Sequence, residues 1–396
     1  MIVDDNKRNY YCSMKFRFIK IDLESKTTYT CHAAQPHDID FTWLSDNPGQ
    51  LFNTPINITE RNMMLVNQRN TSCEQNCWRA EDVGAVSPRM CQGGQDKTHF
   101  EISTQPEIVD LTIGSDCNLT CSYCCKEFSS AWRQDLKNNG RYNVPGSDNR
   151  FELTVKDQLL MKLSQPVLTA TKQYQILLKQ IKQITPGIKK LVVTGGEPFL
   201  DNRLIDVLTE IPVPDNIEIQ IYTGLGVSAA RFEKILQKIK LIKGLYLTVS
   251  AECIDKLHEF NRYGSSWKDF KNKIALLESN CIDYRFQSTL SNMTIFGFAD
   301  FVNCFKKNKI AVTFAYQPDM MATYVLDSAS KKLIIEQIQS LPENMRQPIE
   351  QSLLQVPTET QRQNIKKFLQ EFVYRRKDLD MSIYPKTFLN WIDYVV

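Results

Sequence analysis

The 396-residue chain contains no apolar run near the ~18–20 residues that cross a bilayer, which excludes a membrane-spanning helix. Its opening, MIVDDNKRNYYC, lacks the apolar core of a secretory signal, so a cytoplasmic location is expected. Charge of one sign is scarce: 48 Lys and Arg against 45 Asp and Glu leave a net +3. That is too little to make nucleic acid the main partner. Histidine is rarer still, and His32, His37, His99 and His258 form no spaced pair. Repeats and low-complexity tracts are missing. With 42% hydrophobic and 23% charged residues, disorder and fibrous architectures are excluded. At ~150 residues per domain the length suggests two or three.

What stands out is cysteine, at 12 residues. That is below the density of a secreted disulfide scaffold, and in a chain without an export signal it points to metal or redox chemistry. Cys12, Cys31, Cys73, Cys77 and Cys91 lie toward the N-terminus. Cys117, Cys121, Cys124 and Cys125 are clustered, and Cys253, Cys281 and Cys304 are scattered. The scattered three are expected to be buried packing residues, as are Trp43, Trp78 and Trp132, although Trp132 is also a candidate for a substrate entrance.

Residues 1–104 read as short strands and loops with one helix. Met14–Leu23 alternates as a half-buried strand does, and Thr59-Glu60-Arg61 resembles a capped helix start. Beyond Pro106, β-branched runs at Ile108–Ile113, Lys190–Thr194, Ile217–Tyr222, Leu245–Ser250, Tyr284–Leu290 and Ala311–Tyr316 alternate with helical patterns such as Ala170–Ile184, Ala229–Leu241 and Trp267–Glu278. This alternation predicts right-handed βαβ units and a parallel sheet, with ligand chemistry at the carboxyl ends of its strands. The polar stretch 126–150 has the length of a lid or mobile segment. From Ser328 onward the pattern is helical.

Directly after the first of these strands comes Cys117-Asn118-Leu119-Thr120-Cys121-Ser122-Tyr123-Cys124. Three thiolates at C-x3-C-x2-C on one loop can converge on a single centre. A zinc site would need a fourth protein ligand, whereas an iron–sulfur cubane can leave one iron to a non-protein ligand. The next strand, Lys190–Thr194, runs into Gly195-Gly196-Glu197-Pro198. Its glycines let a ligand approach the backbone, proline fixes the turn, and Glu197 offers an acceptor for an ammonium.

The two motifs together resemble the radical S-adenosylmethionine (SAM) superfamily. The resemblance implies that Cys117, Cys121 and Cys124 bind three irons of a [4Fe–4S] cluster and that SAM chelates the fourth. Tyr123 would lie near the adenine, and Gly195, Gly196, Glu197 and Pro198 would form the methionine-binding motif. It also suggests ligand contacts at Thr223-Gly224 and at Ser250-Ala251-Glu252, with Gln287, Ser288 and Asn292 as weaker candidates. Cys125 falls outside the pattern.

Cys73 and Cys77 form a C-x3-C pair, and a hairpin turning at Ser25-Lys26 can bring Cys12 and Cys31 together, so four thiolates would close a second metal site. Cys91, and more weakly His32, compete with Cys12 for the fourth place, and structural zinc remains an alternative. This arrangement resembles the SPASM or twitch auxiliary-cluster module of radical SAM enzymes, here placed before the barrel. Such modules often carry glycine in the hairpin turn where this chain has Lys26. Leu51-Phe52-Asn53-Thr54-Pro55, Glu60-Arg61, Met64, Cys77-Trp78, Glu81, Ser87, Arg89 and Ser129-Ser130-Ala131-Trp132 carry the likeness, which spans residues 10–320.

The expected fold class is α/β: an N-terminal α+β auxiliary-cluster module (1–104), a partial (β/α)6 TIM-like barrel (105–320) and a helical C-terminal extension (321–396). The resemblance implies reductive SAM cleavage and hydrogen abstraction from a peptide or protein side chain. It also implies a flavodoxin- or ferredoxin-type electron donor and a second iron–sulfur cluster. An RNA- or nucleoside-modifying enzyme and a non-catalytic metal-binding scaffold are the rival readings.

Overall fold

In a computed structural model of the protein, residues 9–82, 87–91, 105–146, 149–161, 171–215 and 217–393 are described. Their strands are β1 (Phe18–Asp22), β2 (Thr27–Tyr29), β3 (His37–Asp38), β4 (Ile108–Thr112), β5 (Thr120–Cys121), β6 (Lys190–Thr194), β7 (Glu218–Thr223), β8 (Leu245–Ser250), β9 (Arg262–Tyr263), β10 (Tyr284–Leu290) and β11 (Ile310–Phe314). Nine of them form one sheet in the order β11-β10-β8-β7-β6-β4-β1-β2-β3, and β5 pairs separately with β9. From β11 to β1 every neighbouring pair is parallel. Helices connect the strands, among them Lys172–Ile184, Arg203–Glu210, Ala229–Ile239 and Trp267–Ser279.

Strict alternation divides the two faces of this sheet. Ile19, Ile21, Val109, Leu111, Leu191, Val193, Ile219, Ile221, Leu247, Val249 and Phe286 pack with the helices in the main core. The other face carries Lys20, Asp110, Gln220, Thr248 and Arg285, and Gln220 Nε2 donates to Thr248 Oγ1 at 2.8 Å. Parallel sheets with both faces covered by helices are apolar throughout, so a polar inner face marks an interior open to polar ligands.

The N-terminal hairpin does not stand apart. β1 pairs with β4 over five residues, Phe18↔Ile108 to Asp22↔Thr112, and β2 folds back antiparallel on β1. The expected strand over Met14–Leu23 is half right: Met14–Arg17 is a helical turn and the strand begins at Phe18. Lys15 N and Phe16 N donate to the carbonyls of Cys12 and Ser13, so the turn winds up the segment bearing Cys12 before the strand starts. The helix expected from Thr59 instead spans Pro55–Leu65, with Thr54 as its cap and proline in its first turn.

The described residues of 126–150 are not the structureless loop that the length suggested. Ser130–Asn139 is a helix, and Trp132, Tyr142, Val144 and Phe151 are buried. There Trp132, Tyr142 and Phe151 meet Phe368, and Trp132 also Phe372, of the C-terminal helix Glu359–Arg375. Trp132 is therefore a packing residue rather than the edge of an entrance. Of the scattered cysteines only Cys253 is buried. Cys281 and Cys304 are exposed, the first in a left-handed position just past a helix (φ 54) and the second at the end of the helix Phe298–Cys304.

Candidate functional site

The cysteine loop leaves the carboxyl end of β4 and is fastened along its length. Thr120 and Cys121 pair as β5 with Tyr263 and Arg262 of β9. Ser129 Oγ donates to the Leu119 carbonyl at 2.7 Å and caps the helix that follows. Ser130 Oγ accepts from Cys117 N at 3.1 Å, and Ala131 N donates to Cys117 O at 3.0 Å. Trp132 Nε1 donates to Cys121 O at 3.1 Å. Ser129-Ser130-Ala131-Trp132 is thus the anchor of the loop that bears the three thiols.

Beside it, Gly195-Gly196-Glu197-Pro198 leaves the end of β6 and locks onto the same loop. Gly196 N donates to Gly114 O at 2.9 Å and Glu197 N to Asp116 O at 2.7 Å. A Cβ on Gly195 would come within 2.6 Å of Gly114 O, and one on Gly196 within 2.6 Å of Asp116 O and 2.8 Å of Phe128 O. The glycines therefore admit the cysteine loop itself, a closer constraint than the ligand approach inferred from sequence. Gly196→Ala is expected to push the loop away from the strap. It should lower iron bound at this loop severalfold while the far-ultraviolet circular dichroism stays native; an unchanged iron content would contradict this.

Glu197 is buried and its carboxylate is fully engaged. Oε1 accepts from Phe199 N at 3.1 Å and Thr223 Oγ1 at 2.7 Å, and Oε2 from Gly224 N at 2.8 Å and Gly226 N at 3.1 Å. The side chain ties the end of β6 to the end of β7 and leaves no oxygen spare for an ammonium. Thr223 is part of that tie. Pro198 opens the short helical turn Pro198–Leu200, and Ser250 stands at the end of β8, opposite Gln287 of β10.

Tyr123 and Glu252 meet: the tyrosine hydroxyl donates to Glu252 Oε1 at 2.8 Å. The residue that joins them, unremarked in the sequence, is Arg262. Its Nη1 donates to Tyr123 Oη at 2.6 Å, and it pairs with Glu252 at 3.7 Å. Burial alone would lower the Arg262 pKa, but the neighbouring Tyr123, Cys121, Glu252 and Cys117 raise it well above its ordinary value. Its Nε is buried and finds no hydrogen-bond partner among the described residues. A two-residue strand leaves no periodic pattern by which sequence could have found it. Ser288 Oγ donates to Ala251 O at 2.6 Å, Asn292 Nδ2 to Met320 O at 2.8 Å and Gln287 Nε2 to Thr313 Oγ1 at 3.1 Å.

Burial pushes the Cys117 thiol up to about 12, and the neighbouring Cys121 adds to the rise. Burial likewise raises Cys121. Cys124 is raised first by its hydrogen bond with Cys125, then by burial and by Cys125, Cys121 and Cys117. The three thiols are close enough to sense one another. In the metal-free chain they are protonated at neutral pH, so taking up a metal centre must release protons. Among the described residues no three His, Cys, Asp or Glu are gathered to hold a single metal ion. A cuboidal cluster is wider than an ion and takes thiolates at separate corners. Three neighbouring thiols beside the Arg262 cation are a donor set of the kind such a group takes, with a charge suited to an anionic ligand at its open corner.

In the N-terminal region Cys12, Cys31, Cys73 and Cys77 share one buried cluster with Tyr10, Tyr11, Phe16, Phe18 and Trp78. Burial raises Cys12 to about 12, with Cys31 and Cys73 adding to the shift, and raises Cys77 to about 11, with Cys73 and Cys31 contributing. Cys12 thus lies in the same buried cluster as Cys31, Cys73 and Cys77. Cys91 ends the short helix Pro88–Cys91 and its side chain lies outside the described residues. His32 turns instead to Asp110 of β4, at 3.3 Å. Lys26 adopts φ 59, the left-handed geometry for which a turn glycine is preferred, so the hairpin keeps its shape without the glycine.

The residues that carried the sequence likeness hold this cluster together. Arg89 pairs with Glu81, donates to Tyr11 O at 2.7 Å and lies over Trp78 at 4.8 Å. Arg61 Nε donates to Lys15 O at 2.7 Å and Nη2 to Phe52 O at 2.8 Å. Lys15, fully buried, pairs with Glu60 and donates to Thr30 Oγ1 at 2.6 Å and Ser72 Oγ at 2.7 Å. Thr30 and Ser72 immediately precede Cys31 and Cys73.

Burial acts to raise the Glu60 pKa, but hydrogen bonds from His37, Lys15 and Ser72 and the Lys15 charge bring it down to about 2. Because the folded-state pKa is depressed, this contribution to stability is complete above the unfolded value near 4.5 and is lost as pH falls toward 2. Glu60→Gln is expected to cost about 3–5 kcal/mol at pH 7 by leaving Lys15 buried and unpaired. The gap from the wild type should narrow as pH falls from 4.5 to 2 in urea titrations. A gap constant with pH would disprove the assignment.

No family model matches the chain, and no curated protein does. Among solved structures it is similar to native anSMEcpe with bound AdoMet, at 15% identity and a TM-score of 0.35 over 53% of this chain and 52% of that one. Streptococcus suis SuiB bound to the precursor peptide SuiA is matched at 14% identity and a TM-score of 0.34, over 95% and 77% of the two chains. Escherichia coli coproporphyrinogen III oxidase HemN, described as a radical SAM enzyme, is matched at 14% and 0.32, over 67% and 51%. The match to the first of these spans about half of its length, and similarity at this level does not assign a function.

Proposed function

We propose that the chain is a radical SAM enzyme acting on a peptide or protein side chain. A [4Fe–4S] cluster on Cys117, Cys121 and Cys124 would supply the electron that cleaves SAM reductively to the hydrogen-abstracting 5′-deoxyadenosyl radical. The observation that carries this reading is the clamp between two motifs. A C-x3-C-x2-C loop at the end of β4 is bonded through its backbone to Gly-Gly-Glu-Pro at the end of adjacent β6.

The roles of the chain's own residues follow from their surroundings. Glu197 braces the site rather than binding an ammonium, because four donors already occupy its carboxylate. Arg262 supplies a fixed positive charge beside Cys117 and Cys121, suited to a carboxylate and to the negative charge of thiolates. Tyr123 and Glu252 hold that guanidinium in place, and Ser250 offers a hydroxyl at the next strand end. Leu119, Leu225 and Ala251, next in sequence to Thr120, Gly224 and Ser250, are buried and would help keep water from a reaction that water would quench.

Residues 1–104 would carry a second iron–sulfur cluster on Cys12, Cys31, Cys73 and Cys77, residues 105–320 the catalytic barrel, and residues 321–396 a helical extension. The hairpin β1–β2 belongs to the barrel's sheet as much as to the module. A peptide or protein substrate rests on the likeness of that module alone. A flavodoxin- or ferredoxin-type protein would deliver the electron. The test is anaerobic reconstitution followed by dithionite and SAM, with 5′-deoxyadenosine measured by chromatography. Protein that carries the first cluster and yields none would refute the proposal.

A further inference from the structure

We propose that the C-terminal segment from Phe372 to Tyr384 clamps the cysteine loop, with Arg376 and Tyr384 as positioning residues for the cluster ligands. The inference rests on Cys117, Cys121 and Cys124 being those ligands, and it goes beyond the reaction by giving the extension a task. Two polar routes lead from the extension to the middle of the loop.

The first route runs through Arg376, which caps the helix Glu359–Arg375 and is buried. Its Nε donates to Thr120 Oγ1 at 3.2 Å, and its Nη1 to Tyr142 Oη at 3.0 Å and Phe372 O at 3.2 Å. The guanidinium lies over Phe372 at 3.9 Å, Trp132 at 5.1 Å and Tyr263 at 5.2 Å. Trp132 is the residue whose indole donates to Cys121 O, and Tyr263 is the β9 partner of Thr120. One side chain therefore touches Thr120 directly and Cys121 through Trp132.

The second route runs through Asn261. Its backbone carbonyl accepts from Ser122 N at 2.8 Å and its Oδ1 from Ser122 Oγ at 2.8 Å. Its Nδ2 donates to Tyr384 Oη at 2.9 Å. Thr120, Cys121 and Ser122 are thus each tied, directly or through one residue, to the extension. Ordering a loop residue costs conformational entropy that opposes binding. A loop fixed before metal arrives has already met that opposition, with Cys121 buried and Cys117 and Cys124 half-buried.

The experiment uses the full-length chain. Arg376→Met keeps much of the stacking and removes the donors, and Tyr384→Phe removes only the hydroxyl. In metal-free protein, iodoacetamide labelling of Cys117, Cys121 and Cys124 is followed by mass spectrometry. Cys253, 1% exposed and donating to Thr294 O at 3.2 Å, monitors whether the core stays folded. Labelling of the loop is expected to rise about tenfold in Arg376→Met, corresponding to about 1.4 kcal/mol, and less in Tyr384→Phe, with Cys253 protected.

In reconstituted protein, the electron paramagnetic resonance signal of the reduced first cluster should differ from wild type when SAM is added. Tyr374→Ala, an exposed change on the same helix, should leave it alone. Unchanged loop labelling together with an unchanged spectrum overturns the clamp. If Arg376→Met exposes Cys253, the Tyr384→Phe labelling decides by the same criterion. If wild-type protein takes up no cluster, the functional reading fails, and the metal-free labelling still tests the clamp.

Discussion

Alanine at any one of Cys117, Cys121 or Cys124 is expected to reduce SAM cleavage to the background of protein without a cluster. Each thiol sits on a separately fastened point: Cys117 between Ser130 and Ala131, Cys121 in the β5–β9 pair, Cys124 one turn further on with its N–H on Cys121 O. Because those ties are to the backbone, removing a thiol leaves the loop in place with a corner unfilled. Cys125 is the obvious substitute for Cys124. It is buried beside Cys124, but Arg150 Nη1 approaches its sulfur at 3.5 Å, and this engagement is expected to keep it from filling the corner. The measurement is 5′-deoxyadenosine formed per chain after reconstitution, alongside iron content. Each variant should lose about four irons and all product. A variant with full activity would show that its cysteine is not a ligand.

Much of the chain beyond Pro106 was legible because its signals were local. Lys190–Thr194 and Tyr284–Leu290 are short β-branched or alternating runs closed by turn residues, and they form strands where the pattern placed them. The cysteine and glycine motifs were read from spacing and occupy adjacent strand ends. What escaped was set by contacts distant in sequence. Nothing in Phe18–Asp22 announces that its partner is β4 rather than only its own hairpin. The helical turn over Met14–Arg17 overrode an alternating pattern, delivering Lys15 to Glu60, Thr30 and Ser72. Arg262 lies in an ordinary run, Glu259-Phe260-Asn261-Arg262-Tyr263, and gains its surroundings only when β5 crosses it. The true start of the helix at Pro55 was available, since proline in a first turn preceded by threonine is a stronger signal than Thr59 with acidic and basic neighbours.

The N-terminal thiols lead to the opposite expectation from the loop thiols. Cys73→Ala should remove about four irons and leave SAM cleavage running. Cys73 ends the tight turn Thr71–Cys73, and Cys77 follows in a wider π-type turn, Glu74–Trp78. That widening brings both thiols into the cluster with Cys12 and Cys31, an irregularity of the kind found at functional sites. Lys15 and Arg89 stand close by and favour the thiolate forms of Cys31, Cys73 and Cys12. They therefore offset part of the charge that four thiolates bring into a buried space. Losing one thiolate from a closed four-ligand site opens it to solvent and oxidant, so the whole centre should go. The first loop sits at the carboxyl ends of β4 and β6 and shares none of these ligands, so 5′-deoxyadenosine formation should persist in the absence of substrate. Modification of a substrate should fall sharply if the second centre accepts an electron or holds the peptide. Iron, sulfide and zinc are measured per chain for the wild type, Cys73→Ala and Cys117→Ala. Zinc lost in place of iron would make the N-terminal site structural. Iron unchanged in Cys73→Ala would remove Cys73 from the ligand set.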